Sequence, residues 1–384
     1  MVAGHLREKR GYYYAVLNYN DSLGRRKTKW ISTGLPVKGN KKRAEAVLMD
    51  LRRSFVPEAT TALDKAILFA DFMEKWLDVI KSNVATTTYA SYVGQVRNII
   101  APYFRETKIT LEALEPKDIQ EFYIQELKRV SASSVIHYHA NIHKALKFAV
   151  KMKLIGSNPA DSIERPKAET FVGSFYDADE VKNLLQVSKG TRLEFPILFG
   201  VFYGLRRSEA LGLKWDAVDF TQNTITIRHT VTSCAMDGKR LLVASNTTKT
   251  KSSLRTLPLV PFVKERLLEL RKEQERNRRL CGRSYNKTYQ GYVCVNKIGD
   301  LIKPNYVTAG CKNLLKDNGM REIRFHDLRH SCASLLLSNG VPMKQIQEWL
   351  GHSDFSTTAN IYAHLDYSSK LNSADAMLNG LGLG

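Results

Sequence analysis

Polar and reactive side chains concentrate in one stretch of this chain, residues 325–364, which reads FHDLRHSCASLLLSNGVPMKQIQEWLGHSDFSTTANIYAH. Two runs within it place apolar residues at helical spacing, so the sequence predicts two short helices. The reactive side chains of the stretch are His326, Arg329, His330, His352 and Tyr362. Imidazoles, a guanidinium and a phenol within one small helical unit indicate chemistry on a phosphate group.

The spacing of these residues brings some of them together. His326 and Arg329 are three residues apart and therefore share one face of the first predicted helix. Gly351 can end the second helix in a left-handed conformation, which would hold His352 on a tight corner. Each feature alone is also typical of packing or surface residues, so the combination carries the prediction.

A second candidate site lies far upstream, in Gly-Leu-Arg206-Arg-Ser-Glu209. Arg206 follows an apolar helical run and opens a further predicted helix, where its guanidinium lies near backbone N–H donors. That position suits bidentate recognition of a phosphate. An ion pair between Arg206 and Glu209, three residues on, explains the pattern equally well.

The composition favours a multidomain protein that binds nucleic acid. A chain of 384 residues is too long for one ordinary core, and 43% apolar residues are ample for globular folding. The net charge of +20 predicts a polyanionic partner, with nucleic acid preferred over an anionic membrane surface. No apolar run approaches the ~20 residues that span a bilayer, and no secretory signal is evident. Five scattered cysteines favour reduced thiols in a cytoplasm.

Residues 1–58 predict a small basic domain. Two β-prone runs flank a hairpin turn at Asp21 to Gly24, and residues 41–55 follow with helical spacing. These patterns indicate a three-stranded sheet backed by one helix. Residues 1–56 carry thirteen basic and four acidic side chains, a net charge of +9. Such a sheet is expected to lie against DNA, although a solvated basic face gives the same pattern.

Residues 66–165, after a linker at residues 57–61, predict a second, helical domain. In its fourth helix His139 and His143 stand four residues apart and could share a metal ion. No third ligand is evident, so surface or phosphate contact is the preferred interpretation.

Residues 173–384 predict a third, mostly helical domain with a small antiparallel sheet. Its β-prone runs are TITIRHTVTS, KRLLVASNTTKTK and LRTLPL. Lys249 and Lys251 lie in the turn between the last two runs. The whole chain is thus predicted to be a multidomain α+β protein.

The combination of motifs resembles the tyrosine recombinase (phage integrase) family over residues 175–365. The matching residues are Gly-Leu-Arg206-Arg-Ser-Glu, Lys249, His326-Asp-Leu-Arg329-His330, Leu-Gly-His352-Ser, and Tyr362 in Asn-Ile-Tyr-Ala-His. Residues 66–165 also resemble the family's SAM-like core-binding domain. Residues 1–56 resemble the arm-binding domain of integrases from conjugative transposons and temperate phages of Gram-positive bacteria.

The resemblance implies a site-specific recombinase that integrates and excises a mobile element through a 3′-phosphotyrosine intermediate. Tyr362 would attack the scissile phosphate, with Tyr367 as the alternative nucleophile. Arg206 and Arg329 would bind the non-bridging oxygens and stabilise the transition state. The motif places the functional arginine directly after Gly-Leu, which favours Arg206 over Arg207.

Proton transfer is assigned from the same resemblance. Lys249 would protonate the leaving 5′-oxygen, with Lys251 as the alternative, and His326 and His352 would handle protons and hydrogen bonds to the phosphate. Because the covalent intermediate stores the phosphodiester bond, no nucleotide cofactor is expected. No metal is expected either, since the sequence contains no acidic cluster and the arginines supply the positive charge.

The implied partners are double-stranded DNA, at core and arm attachment sites, and further copies of the chain in a homotetramer on two duplexes. An excisionase would be the accessory protein, no membrane is involved, and the bacterial cytoplasm, at the nucleoid, is the expected location. The apolar face that follows Tyr362 is expected to dock on a neighbouring subunit, although packing on its own domain explains it too. Two alternatives remain open: a type IB topoisomerase-like enzyme that relaxes DNA, and a DNA-binding regulator without catalysis.

Overall fold

The structure, a computed structural model, describes most of the chain: residues 3–20, 26–55, 67–168, 174–236, 238–246 and 254–352, with residues 378 and 381. The described residues group into two compact units. The first unit takes its residues from 1–76, 100–129 and 139–165, and the second from 77–99, 130–138 and 166–384. The predicted turn at Asp21 to Gly24 and the predicted linker at 57–61 lie outside the described residues.

The N-terminal segment forms a sheet covered by one helix. Its elements are β1 (Ala3–Lys9), β2 (Tyr12–Asn20), β3 (Arg26–Pro36) and α1 (Lys41–Ser54). β2 is the central strand and pairs antiparallel with both neighbours. Ala15 and Leu17 of β2 are buried against Leu48 of α1, because side chains two apart on a strand share one face. The predicted three-stranded sheet backed by a helix is confirmed.

The next segment is helical, as predicted. It contains α2 (Phe69–Ile80), α3 (Thr86–Gln95), a π-helical turn (Val96–Ile100), α4 (Ala101–Thr107), α5 (Pro116–Leu127) and α6 (Ala132–Lys151). In the first unit Phe104 packs edge-on against Phe69, with ring centroids 4.8 Å apart, and lies 5.4 Å from Phe122. Such aromatic contacts are a major source of core stability.

The histidine pair of α6 has partners of its own. His139 Nδ1 lies 2.9 Å from the Tyr123 hydroxyl, and His143 Nε2 lies 2.7 Å from Asp161 Oδ1. Among the described residues, no group of three or more histidine, cysteine, aspartate or glutamate side chains is arranged to hold a metal ion.

The C-terminal segment is mostly helical. Its helices are α7 (Ala178–Ser188), α8 (Glu194–Tyr203), α9 (Arg207–Gly212), α10 (Pro261–Cys281), α11 (Pro304–Asp317), α12 (Asp327–Ser338) and α13 (Met343–Leu350). α8 is apolar on all sides and almost wholly buried, which is typical of a helix in the middle of a core. It lies so close to α12 that an added Cβ at Gly200 would press on Leu328.

The strands of this segment form two small antiparallel sheets. They are β4 (Val218–Asp219), β5 (Thr224–Ile227), β6 (Thr230–Met236), β7 (Lys239–Ser245) and β8 (Arg255–Pro258). β5 pairs with β4 and β8, whereas β6 pairs with β7. The run TITIRHTVTS, predicted as one β-prone run, therefore divides at Arg228–His229 into strands of different sheets. The predicted α+β fold class is confirmed.

In the part of the chain that the structure describes, none of the helices combines the length and the apolar character needed to cross a membrane.

Candidate active site

Arg206 is positioned by the end of α8. Gly204 ends that helix in the left-handed region, with φ of +58°, a conformation that glycine adopts without strain. A Cβ added there would overlap Leu350 of α13, so the two helices meet at this point more closely than a side chain allows. Arg206 follows two residues later as the N-cap of α9, which confirms the prediction that it opens a helix.

Glu209 joins Arg206 to a residue that the sequence analysis missed, Arg255. Arg206 Nη1 donates to Glu209 Oε1 (2.7 Å), and Arg255 Nη2 donates to Oε2 (3.1 Å). Burial of Glu209, which is 2% exposed, favours the neutral acid, but Arg255 and Arg206 outweigh it and lower the pKa of Glu209. The ion pair considered as an alternative for Arg206 therefore exists, and it leaves 35% of the Arg206 side chain exposed.

Arg255 connects this ion pair to the end of α13. Its side chain, at the start of β8, is 6% exposed, and its Nε donates to the Trp349 carbonyl oxygen (2.9 Å). The Trp349 indole N–H donates in turn to the Phe202 carbonyl of α8 (3.2 Å). No local pattern marks Arg255 in the sequence, whereas Glu209 is recognisable from its spacing to Arg206.

Arg329 is the most deeply buried charge of the site. It is 1% exposed, and it donates through Nη1 to the Gly204 carbonyl (2.7 Å) and through Nε to His352 Nε2 (3.1 Å). Its Nη2 is buried without a hydrogen-bond partner among the described residues. Burial and Arg206 lower the pKa of Arg329 to about 9, so the group remains charged at neutral pH. A buried donor without a partner costs stability unless an acceptor arrives.

His352 stands on the predicted corner. Gly351 follows α13 with φ of +70°, and His352 is 8% exposed. Because Nε2 accepts the hydrogen bond from Arg329, the neutral ring carries its proton on Nδ1. Burial, Arg329 and Arg206 lower the pKa of His352 to about 3. The ring is therefore neutral at physiological pH.

His326 stands at the start of α12 and is exposed. Its ring is perpendicular to that of His330, with centroids 5.4 Å apart. Desolvation of the ring, followed by the charges of His330, Arg329 and Arg206, lowers the pKa of His326 to about 4. His330 is mostly buried beside Asp327, and burial lowers its pKa as well.

The structure thus brings four of the six predicted site residues into one polar cluster: Arg206, His326, Arg329 and His352. The remaining two, Lys249 and Tyr362, lie outside the described residues, as do their alternatives Lys251 and Tyr367. Their part in the site stays a prediction.

Comparisons with known proteins identify the family. The profile of the phage integrase family matches residues 174–369, which include all six predicted site residues. The profile of the phage integrase N-terminal SAM-like domain matches residues 68–128. The chain belongs to the phage integrase family.

Individual relatives support this assignment. A tyrosine recombinase XerC-like protein of Caldanaerobacter subterraneus subsp. tengcongensis is 28% identical over 328 residues, covering 81% of this chain and 83% of that protein. The ICEBs1 integrase of Bacillus subtilis is 24% identical over 345 residues, covering 89% and 91%. The solved Tn1549 transposon integrase, in complex with a circular intermediate DNA, has a similar fold, with a TM-score of 0.65 at 17% identity over 81% of this chain and 99% of that one.

The chain is accordingly a tyrosine recombinase, a site-specific enzyme that cleaves and rejoins DNA strands. The comparisons give no support to the topoisomerase-like and regulator alternatives.

Proposed function

We propose that Tyr362 is the nucleophile of a recombination reaction centred on the cluster of Arg206, Arg329, His326 and His352. The observation that carries this proposal is the buried guanidinium of Arg329, whose Nη2 has no hydrogen-bond partner among the described residues. A scissile phosphate is the acceptor that satisfies it, because a phosphate oxygen is a strong, charged acceptor. Arg206, part of whose side chain remains exposed, binds a second non-bridging oxygen.

The reaction forms one bond to phosphorus and breaks another. The Tyr362 oxygen bonds to the phosphorus in line as the bond to the 5′-oxygen breaks, which leaves a 3′-phosphotyrosine and a free 5′-hydroxyl. The two arginines stabilise the negative charge that develops on the non-bridging oxygens. A phenol has a pKa of ~10 and must lose its proton to attack. The positive charges of Arg206 and Arg329 favour that loss, and His326 is the proposed acceptor of the proton.

Two further residues complete the proton transfers. Lys249 protonates the departing 5′-oxygen, in preference to Lys251. His352 donates from Nδ1 to a phosphate oxygen, since its Nε2 is already engaged by Arg329. No nucleotide is needed in this scheme, because the phosphotyrosine stores the bond for religation, and the two arginines supply the positive charge that a metal would.

DNA is held by three domains in this proposal. Residues 1–58 bind arm sites through the basic sheet, residues 66–165 bind the core site, and residues 173–384 carry the catalytic cluster. Strand exchange between two duplexes cleaves four strands, and one tyrosine serves each, so we infer a homotetramer. The apolar face that follows Tyr362 in the sequence is the proposed contact between neighbouring subunits.

The element that this recombinase integrates and excises resides in a bacterial chromosome, so the proposed site of action is the cytoplasm, at the nucleoid. An excisionase is the proposed accessory protein, since a partner that bends or bridges the arm sites can set the direction of the reaction.

A suicide substrate tests the nucleophile. DNA with the attachment site and a nick next to the cleavage position loses a short fragment on cleavage, so the covalent adduct accumulates. Wild-type protein is expected to form the adduct, Tyr362→Phe is expected to bind the DNA and form none, and Tyr367→Phe is the matched control that keeps the activity. An adduct with Tyr362→Phe and none with Tyr367→Phe would move the nucleophile to Tyr367.

The same preparation separates the three functions. Exchange of strands between two labelled duplexes supports the recombinase, and relaxation of supercoils without exchange indicates a topoisomerase-like enzyme. Specific binding without any adduct indicates a regulator.

A further inference from the structure

The chain passes from β5 in one sheet to β6 in another through a corner formed by Arg228 and His229, and three contacts hold this corner. Gly212, the last residue of α9, lies so close that an added Cβ would overlap the His229 carbonyl oxygen. The imidazole is 8% exposed. Its Nε2 lies 2.9 Å from the Tyr292 hydroxyl, and its Nδ1 lies 2.6 Å from Asn246 Oδ1.

The chemistry of these contacts fixes one state of the ring. The amide oxygen of Asn246 can only accept, so His229 Nδ1 donates its proton to it, and Nε2 accepts from the Tyr292 hydroxyl. Both nitrogens of a neutral imidazole are then satisfied. Burial also lowers the pKa of His229, which favours the same neutral form. His229 is therefore a fixed structural link, with neither nitrogen available to carry a proton.

The position of Asn246 gives this link a functional meaning. Asn246 directly follows β7, stands three residues before Lys249, and is exposed. Its contact with His229 is thus a tether where the chain leaves the β6–β7 hairpin. Through Gly212 the same corner rests on α9, whose N-cap is Arg206 and whose first turn contains Glu209.

We propose that His229 is a positioning residue for DNA cleavage, which acts by fixing Asn246, three residues before Lys249 in the sequence, relative to α9 and Arg206. The proposal rests on the role of Lys249 in the function proposed above. His229 acts through Asn246 and makes no contact of its own with the reacting atoms.

The identity of the leaving group provides the test. On a normal substrate, the bond from phosphorus to the 5′-oxygen breaks as the oxygen takes a proton. If sulfur replaces the bridging 5′-oxygen, the leaving group is a thiolate, which needs no proton because a thiol has a pKa of only ~8.5. A defect in proton delivery therefore disappears on the sulfur substrate, whereas a defect in phosphate binding or nucleophilic attack remains.

Single-turnover cleavage by the full-length protein is measured on both suicide substrates. His229→Phe keeps the ring and loses both polar contacts, and Asn246→Ala removes the link at an exposed position where folding is not at risk. We expect both variants to cleave the oxygen substrate about 10–100-fold more slowly, since small displacements of a catalytic group have effects of that size. On the sulfur substrate both are expected to match the wild type.

Three control variants make the result specific. Thr232→Val removes a hydroxyl contact to the Val243 carbonyl (3.4 Å) in the same hairpin, and it is expected to cleave both substrates at the wild-type rate. Lys249→Ala is expected to cleave the oxygen substrate slowly and the sulfur substrate at the wild-type rate. Arg329→Ala is expected to be slow on both, because it impairs phosphate binding.

The outcomes separate this proposal from the assignment of Lys249. If Lys249→Ala is restored on sulfur while His229→Phe and Asn246→Ala are equally slow on both substrates, the positioning role is wrong and Lys249 remains the acid. The positioning role is also wrong if Asn246→Ala cleaves the oxygen substrate at the wild-type rate. It is wrong as well if Thr232→Val cleaves the oxygen substrate slowly and the sulfur substrate at the wild-type rate. If the sulfur substrate restores the cleavage rate of Lys251→Ala and not that of Lys249→Ala, the general acid is Lys251. His229→Phe and Asn246→Ala then still decide the role of His229.

Discussion

Gly204 occupies the point where α8 meets α13, and replacing it by alanine tests how much the site depends on that approach. Two terms add. A non-glycine residue in the left-handed region costs roughly 1–2 kcal/mol, and φ at Gly204 is +58°. The added methyl group also overlaps Leu350, and overpacking of this kind costs about 1–3 kcal/mol. The expected destabilisation is therefore about 2–5 kcal/mol.

Gly190→Ala is the matched control for this prediction. Gly190 also has a positive φ, +75°, but nothing lies within 4 Å of an added Cβ. It therefore carries the conformational cost without the overlap, and the two variants should differ by the packing cost of about 1–3 kcal/mol.

Hydrogen exchange of the amides in α8 and α12 measures the difference, because the slowest amides report the free energy of opening in that part of the chain. Gly204→Ala should increase their exchange far more than Gly190→Ala. Adduct formation should fall as well, since the Gly204 carbonyl holds Arg329. Equal exchange in the two variants would refute the inference that the close approach of α8 and α13 matters.

Two further predictions concern buried ionisable side chains. Arg255→Met removes one guanidinium partner of the buried Glu209; the free energy of unfolding should fall by up to the roughly 3–5 kcal/mol lost when a buried ion pair is broken. The double variant Arg255→Met/Glu209→Gln should recover part of that loss, which hydrogen exchange of the amides in α9 and α13 measures. If the effects of the two substitutions are strictly additive, Arg255 and Glu209 are not coupled and the prediction is wrong. The pKa of His352 is lowered to about 3 in the folded protein, compared with ~6.5 in the unfolded chain. Below pH ~6.5 the unfolded chain therefore binds more protons than the folded protein, and the free energy of unfolding falls. At pH ~5 this loss is roughly 2 kcal/mol. Urea unfolding should show that His352→Gln loses less stability than the wild type between about pH 7.5 and about pH 5, and equal losses would rule out His352 as the source.

The residues of the predicted site differ in how visible they are in the sequence. Arg206, Arg329 and His352 stand in short motifs whose local geometry, a helix start, a helix face and a glycine corner, follows from spacing. Arg255 has no such motif. Its burial depends on Glu209 and Trp349, 46 and 94 residues away along the chain, and one arginine among 58 basic residues gives no local sign of such partners.

The boundary between β5 and β6 also could not be predicted from the sequence. Residues 224–233 have uniform β propensity, so the sequence favours one continuous strand. The break at His229 arises from contacts with Gly212, Asn246 and Tyr292, the last of them 63 residues away. Propensity describes a residue and its neighbours, whereas the corner is determined by tertiary packing.

The burial of Arg329 also bears on how the enzyme responds to its substrate. In the protein alone, two guanidinium groups repel each other in a poorly solvated site, and this repulsion works against folding. A phosphodiester placed between them reverses the sign of that interaction, while the carbonyl of Gly204 and the ring of His352 already hold Arg329 in place. In water, solvent molecules would have to reorient as negative charge develops on the phosphate oxygens. In the protein, folding has already placed the arginines, so most of this reorientation is not needed during the reaction. The recombinase should therefore be markedly more resistant to unfolding when its attachment site is bound than when it is alone.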